Sequence, residues 1–183
     1  IARDAGLATH MDGARLMNAV VATGIPAAEM VRHCDTVWLD FTKGLGAPLG
    51  AVLAGGRDFI DEAWRWKQRL GGSMRQAGVA AAACLHALDH HVGRLAEDHA
   101  NAAALARGLA QIEGMAVEAP ETNLVFFNPS GTGTAGDALC AALRRQGIAM
   151  SVLGGRVRAC THLDVTAAMI EETLAKVRAA VGR

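Results

Sequence analysis

Short continuous apolar runs lie at residues 7–11, 36–41 and 51–54, separated by helix-sized segments. The first ends in Asp12-Gly-Ala-Arg15 and passes into a helical pattern through Leu16, Val20 and Val21 that stops near Gly24-Ile-Pro26. The second ends at Thr42-Lys43 and leads into the glycine-rich segment 44–50; the third closes at Gly55-Gly56. Runs that are continuous rather than alternating predict strands buried on both faces of a mainly parallel or mixed α/β sheet. In such sheets functional groups gather where the strands end.

Over residues 58–70 the apolar positions Phe59, Ala63, Trp66 and Leu70 recur at helical spacing, and Gly71-Gly72 breaks the pattern. Ser73 with Gln76 fits a capping box that opens a long Ala-rich helix reaching about residue 91. The texture then changes. A charged helix (94–112) leads to short strands at 115–118 and 124–127, a helix at 135–146, strands at 149–153 and 157–160, and a helix at 166–181. This organisation predicts two domains: residues 1–91, part of a larger sheet domain with its connecting helix, and residues 92–183, a small α+β domain. The chain contains no internal repeat or low-complexity segment.

The 183 residues carry 18 Lys+Arg against 18 Asp+Glu, a net charge of zero. That balance argues against a partner gripped by charge, whether nucleic acid or an anionic membrane. With 51% apolar and 20% charged residues the composition is that of a globular chain. The longest apolar stretch, 77–85, is far shorter than the ~18 residues needed to cross a bilayer. The first residues show neither an initiator Met nor a signal-peptide pattern, and read as the tail of a helix running into a strand, so the chain is expected to open in the middle of a larger fold. Four dispersed cysteines, Cys34, Cys84, Cys140 and Cys160, predict reduced thiols in a cytosolic setting and small core side chains.

Asp12, Arg15 and Lys43 sit where apolar strands end. The first two equally fit a plain helix start with a local ion pair. Lys43 is more telling. A lysine directly after a buried strand, fenced by glycines, is poorly placed for solvation, and desolvating an amine favours its neutral, nucleophilic form. Such an amine can form a Schiff base. The three groups together point to pyridoxal 5'-phosphate: Lys43 to hold the cofactor, Asp12 to keep its ring nitrogen protonated, and Arg15 to stabilise its phenolate oxygen.

Other motifs weigh less. Gly131-Thr-Gly133-Thr-Ala-Gly136 matches a dinucleotide-binding pattern between a strand and a helix, but the following strand ends in Gly154-Gly155 with no acidic residue for a ribose, so a surface turn is expected. His86 and His90 have a metal-compatible spacing without the Glu of H-E-x-x-H; a solvated helix end and no metal site are expected. Trp64 and Trp66 are assigned to packing.

Four segments in order, His10-Met-Asp-Gly-Ala-Arg15-Leu, Thr42-Lys-Gly-Leu-Gly-Ala-Pro48-Leu-Gly50, Leu70-Gly-Gly-Ser-Met-Arg-Gln76 and Thr161-His-Leu-Asp-Val165, resemble the successive motifs of low-specificity L-threonine aldolases. These are fold-type I enzymes of the aspartate aminotransferase superfamily. The resemblance implies an α/β fold: part of a fold-type I large domain with a mixed, mainly parallel sheet, plus a small C-terminal α+β domain. It implies Lys43 as the cofactor lysine, Asp12 at the pyridine nitrogen, Arg15 at the cofactor oxygen and Arg75 as a loop arginine close to the cofactor. Arg158 would bind the substrate carboxylate, a task suited to a planar two-pronged cation. His162, beside it, fits either substrate binding or a structural strand-end role.

The chain departs from the family in carrying Lys67-Gln68-Arg69 where a basic pair lies near the phosphate, and Thr42 where Ser is more frequent. Family members extend upstream of Ile1, and that part holds the phosphate-binding loop and a ring-stacking histidine. The implied reaction is retro-aldol cleavage of threonine or allo-threonine to glycine and an aldehyde. The implied partners are a small amino-acid substrate and further copies of the chain, in a cytoplasmic homodimer or homotetramer with interfacial active sites. A tryptophanase-like β-eliminating lyase and a non-catalytic incomplete module are the rival readings.

Overall fold

The computed structural model describes residues 1–182, which fall into two compact units, one spanning residues 1–94 and the other starting at Leu95.

The first unit is built on a three-stranded mixed sheet of order β1-β2-β3. Strands β1 (His10–Gly13) and β2 (Thr36–Asp40) are parallel, with Asp12 opposite Trp38 and Gly13 opposite Leu39. Strand β3 (Ala51–Ala54) returns antiparallel to β2, with Ala51 opposite Asp40. Gly13 has a steric reason: a Cβ there would run into the Trp38 carbonyl of the neighbouring strand. Helix α1 (Leu16–Thr23) stops at Gly24, whose left-handed conformation (φ 71°) returns its N–H to the Val20 carbonyl. Helix α2 (Ala27–Val31) is a five-residue turn that the apolar pattern does not announce. Helices α3 (Arg57–Arg69) and α4 (Gly78–His90) complete the unit.

Several expectations are corrected here. The first strand lies later than the apolar run 7–11, so Asp12 is inside β1 and not beyond its end. Strand β3 is exposed along its whole length instead of buried on both faces. Helix α3 buries none of its residues: Phe59, Trp64 and Trp66 are exposed, Lys67 stacks over Trp64 and Arg69 over Trp66. The capping box does not form. Gln76 adopts φ 54°, and α4 begins at Gly78 behind Ala77 without a side-chain cap. Of the cysteines only Cys140 is buried, and Cys160 is exposed.

The second unit packs three helices on an antiparallel sheet of order β4-β5-β7-β6. The helices are α5 (Leu95–Ala110), α6 (Gly136–Arg144) and α7 (Ala167–Ala180); the strands are β4 (Ala116–Val117), β5 (Leu124–Asn128), β6 (Ser151–Leu153) and β7 (Arg156–Cys160). Alternation divides the sheet faces cleanly. Val125, Phe127, Val157 and Ala159 turn inward onto Leu105, Leu109, Leu139, Leu143, Ile170 and Val177, all buried. Each of the Val, Leu, Ile and Phe side chains contributes about 1.5–3 kcal/mol on leaving water. The Thr166 hydroxyl caps α7 by accepting the Met169 N–H at 3.3 Å. The 131–136 glycine segment forms a 3₁₀ turn over Ser130–Thr132, followed by α6; Gly131 is pressed against the backbone of Gly114, where no side chain fits.

Candidate active site

In the first unit the chemistry collects at the C-terminal ends of β1 and β2. Parallel pairing of Asp12 with Trp38 puts both side chains on one face, and strand alternation adds Asp40 to it. The Asp12 Oδ1 atom accepts the Ala14 N–H at 3.0 Å, which turns the chain out of β1 towards Arg15. Arg15 lines a narrow crevice with Asp40, Gly44 and Leu45. Beyond Asp40 the chain forms a closed loop. Phe41 N–H bonds the Gly50 carbonyl (3.1 Å), Ala47 N–H the Phe41 carbonyl (2.8 Å) and Gly46 N–H the Lys43 carbonyl (2.9 Å). Gly46 at φ 69° completes the turn that carries Lys43.

The Lys43 amine lies 2.7 Å from Asp40 Oδ2 and 4.8 Å from the centroid of the Trp38 ring. Trp38, whose ring the amine approaches, is the register partner of Asp12 on the neighbouring strand. The lysine is not shut away from water as its sequence neighbourhood suggests: 36% of its side chain is exposed, and its charge is met by Asp40. The Asp40 side chain is almost fully buried, and its Oδ1 accepts both the N–H (3.1 Å) and the hydroxyl (2.8 Å) of Thr42. Burial alone pushes the Asp40 carboxyl up; the contacts from Lys43 and Thr42 outweigh it and hold the group below the usual aspartate range.

Arg75 lies on an exposed turn between α3 and α4, next to the strained Gln76.

In the second unit, Arg156, Arg158 and Cys160 share the sheet face turned away from the helices. Arg156 pairs with Glu118 and stacks on Phe126 at 4.7 Å. Arg158 lies between Phe126 of β5 and Ser151 of β6 and has no ion pair or hydrogen bond among the described residues. The end of β7 is clamped: Thr161 donates to the Asp98 carbonyl (2.6 Å), and Asn123 donates to the Thr161 carbonyl (2.7 Å). His162 follows, about half exposed and 3.7 Å from the Asp164 carboxylate. It borders a cavity of about 340 Å³ with Met169 and Lys176, which Arg158 does not line. The structure thus brings Asp12, Arg15 and Lys43 to one strand-end cluster, and sets Arg158 and His162 in different surroundings within their own unit.

Asp40, Trp38 and His91 were missed by sequence reasoning. Asp40 carries a readable signal: it is a carboxylate closing an apolar run, one helical turn ahead of a lysine. His91, whose Nδ1 lies 2.6 Å from the Leu45 carbonyl, carries none, because its partner is 46 positions away.

Fold and site define an α/β protein with a strand-end lysine flanked by carboxylates, the donor set that suits an aldehyde-bearing pyridine cofactor: an amine for the aldehyde, an acid for the ring nitrogen and a guanidinium for an oxyanion. The chain belongs to the Beta-eliminating lyase family, whose model matches residues 1–131. It is 42% identical over 184 residues to the low specificity L-threonine aldolase of Escherichia coli K12, covering 99% of this chain and 53% of that protein. It is 39% identical over 179 residues to low-specificity L-threonine aldolase 1 of Arabidopsis thaliana, covering 95% and 50%. The chain therefore spans about half the length of the curated relatives it matches. Among solved structures, the threonine aldolase of Leishmania major superposes with a TM-score of 0.75 at 21% identity, covering 98% of this chain and 54% of that one. The fold is that of fold-type I pyridoxal-phosphate enzymes, and family and fold together imply dependence on that cofactor.

Proposed function

We propose that the protein acts as a pyridoxal-phosphate-dependent aldolase that cleaves L-threonine or L-allo-threonine, β-hydroxy-α-amino acids, to glycine and an aldehyde. The observation that carries this reading is the gathering of Asp12, Arg15 and Lys43 at one end of β1 and β2, in a chain about 40% identical to named threonine aldolases. When bound, the cofactor's protonated ring takes up the electron pair released as the Cα–Cβ bond breaks.

The chain's own residues do the rest. Lys43 would supply the amine that holds the cofactor aldehyde. The Asp12 carboxylate would keep a proton on the ring nitrogen, Arg15 would stabilise the phenolate oxygen, and Arg75 would serve as a loop cation close to the cofactor. Arg158 is assigned to the substrate carboxylate, for which its guanidinium, without an ion pair among the described residues, is suited, and His162 to substrate binding. Asp40 receives the Lys43 ammonium when the amine is free. In this reading the first unit is the C-terminal part of a large cofactor domain and the second the small domain. The protein would form a cytoplasmic homodimer or homotetramer and contribute to glycine formation.

Incubating the full-length protein with cofactor and L-threonine tests this: acetaldehyde and glycine are expected in equal amounts. Pyruvate and ammonia would identify a β-eliminating lyase instead, and failure to take up cofactor a non-catalytic module.

A further inference from the structure

We propose that His91 is a positioning residue for Lys43, holding the lysine loop at Leu45 while Asp40 holds it at Thr42 and Lys43; the functional consequence rests on Lys43 being the cofactor lysine. Two side-chain struts act on the part of the loop that carries Lys43. Asp40 ties its first residues through Thr42 and Lys43. The second strut is the half-buried His91, at the C-terminal end of α4, 2.6 Å from the Leu45 carbonyl. A carbonyl only accepts, so Nδ1 carries the proton and donates. Leu45 is the third residue of the four-residue turn closed by Gly46 N–H on the Lys43 carbonyl. Fixing its carbonyl fixes the turn from which the Lys43 side chain springs.

Helix α4 and its C-terminal end meet the loop at Leu49 and Leu45. Cys84, Ala87 and His91 fall on one stripe of the helix at i, i+3 and i+7. Cys84 donates to the Leu49 carbonyl at 3.5 Å and packs where any side chain at Gly50 would intrude, Ala87 is fully buried, and His91 completes the stripe. The exposed His86 ring meets the His91 ring edge-on at 5.3 Å. The imidazole thus spans the gap between the helix end and the lysine turn.

The test uses the full-length protein with His91→Asn, whose Nδ2 can occupy the place of Nδ1, and His91→Leu, which removes the donor. Hydrogen–deuterium exchange of the loop amides Gly46 and Ala47 is followed in cofactor-free protein, and kcat and KM for L-threonine in the loaded enzyme. His91→Leu is expected to speed loop exchange by about tenfold, the factor that one lost hydrogen bond commands, with exchange in α4 unchanged. It should lower kcat with KM held, because the lysine and not the substrate is displaced. His91→Asn should stay near wild type in both. Equal loop exchange in wild type and His91→Leu, or His91→Asn behaving like His91→Leu, overturns the proposal. Should His91→Leu not fold, His91→Gln, whose amide lies one carbon further out, takes its place with the same expectations. A wild type that cleaves no threonine would count against the functional reading alone, since loop exchange still decides the role of His91.

Discussion

Arg156 and Arg158 project from the same face of β7, yet only Arg156 has a carboxylate partner, Glu118, among the described residues. Like charges on one strand face repel; here Glu118 and the Phe126 ring absorb one of them and leave the other available. This division of labour separates the two arginines experimentally.

Arg158→Lys is expected to lower kcat/KM for L-threonine by about tenfold or more, because an ammonium cannot supply two parallel hydrogen bonds to a carboxylate. Arg156→Lys, which keeps a charge opposite Glu118, should change it little. Cofactor absorbance before substrate addition should survive in both. An unchanged kcat/KM in Arg158→Lys would remove that residue from the substrate site.

Borohydride reduction of the cofactor-loaded protein, followed by peptide mapping, is expected to place the label on Lys43. Lys67, stacked on Trp64, and Lys176, paired with Glu172, have no comparable strand-end setting. Label on either would overturn the assignment.

Asp12→Asn should cut the turnover number by about 10²–10³, the loss typical of deleting one preorganised charge-stabilising group, while the protein still takes up cofactor. An amide cannot hold the ring nitrogen in its protonated form. Near-normal turnover in this variant would show that another residue serves the ring.

The depressed Asp40 carboxyl makes a pH prediction with a definite sign. A group whose folded value lies below its ordinary 3.8 contributes stability that is present above pH 3.8 and is lost as pH falls through the lower, folded value. Urea unfolding of cofactor-free wild type and Asp40→Asn should therefore show a stability gap at pH 7 and pH 5 that closes below pH 3.8. A gap that stays constant down to pH 3 would mean that the carboxylate charge opposite Lys43 is not what Asp40 provides.

The local pattern by itself determined most of the elements and where the candidate polar groups fall on them. Period and breakers located α1, α3, α5 and α7 to within a few residues and β3 to the residue, because these signals lie within one element. The strand-end placement of Lys43, Asp12 and Arg15 was legible for the same reason, as polar groups following apolar runs. Tertiary structure decided what no local pattern holds: that Asp40 turns its carboxylate onto Lys43, that His91 reaches Leu45 across 46 positions, and that Arg156 is neutralised by Glu118 across 38. It also decided that the apolar stripe of α3 and both faces of β3 stay exposed within their unit. Periodicity tells which face of an element is apolar; what covers that face, and which distant donor meets which carbonyl, depends on how the chain closes on itself in three dimensions.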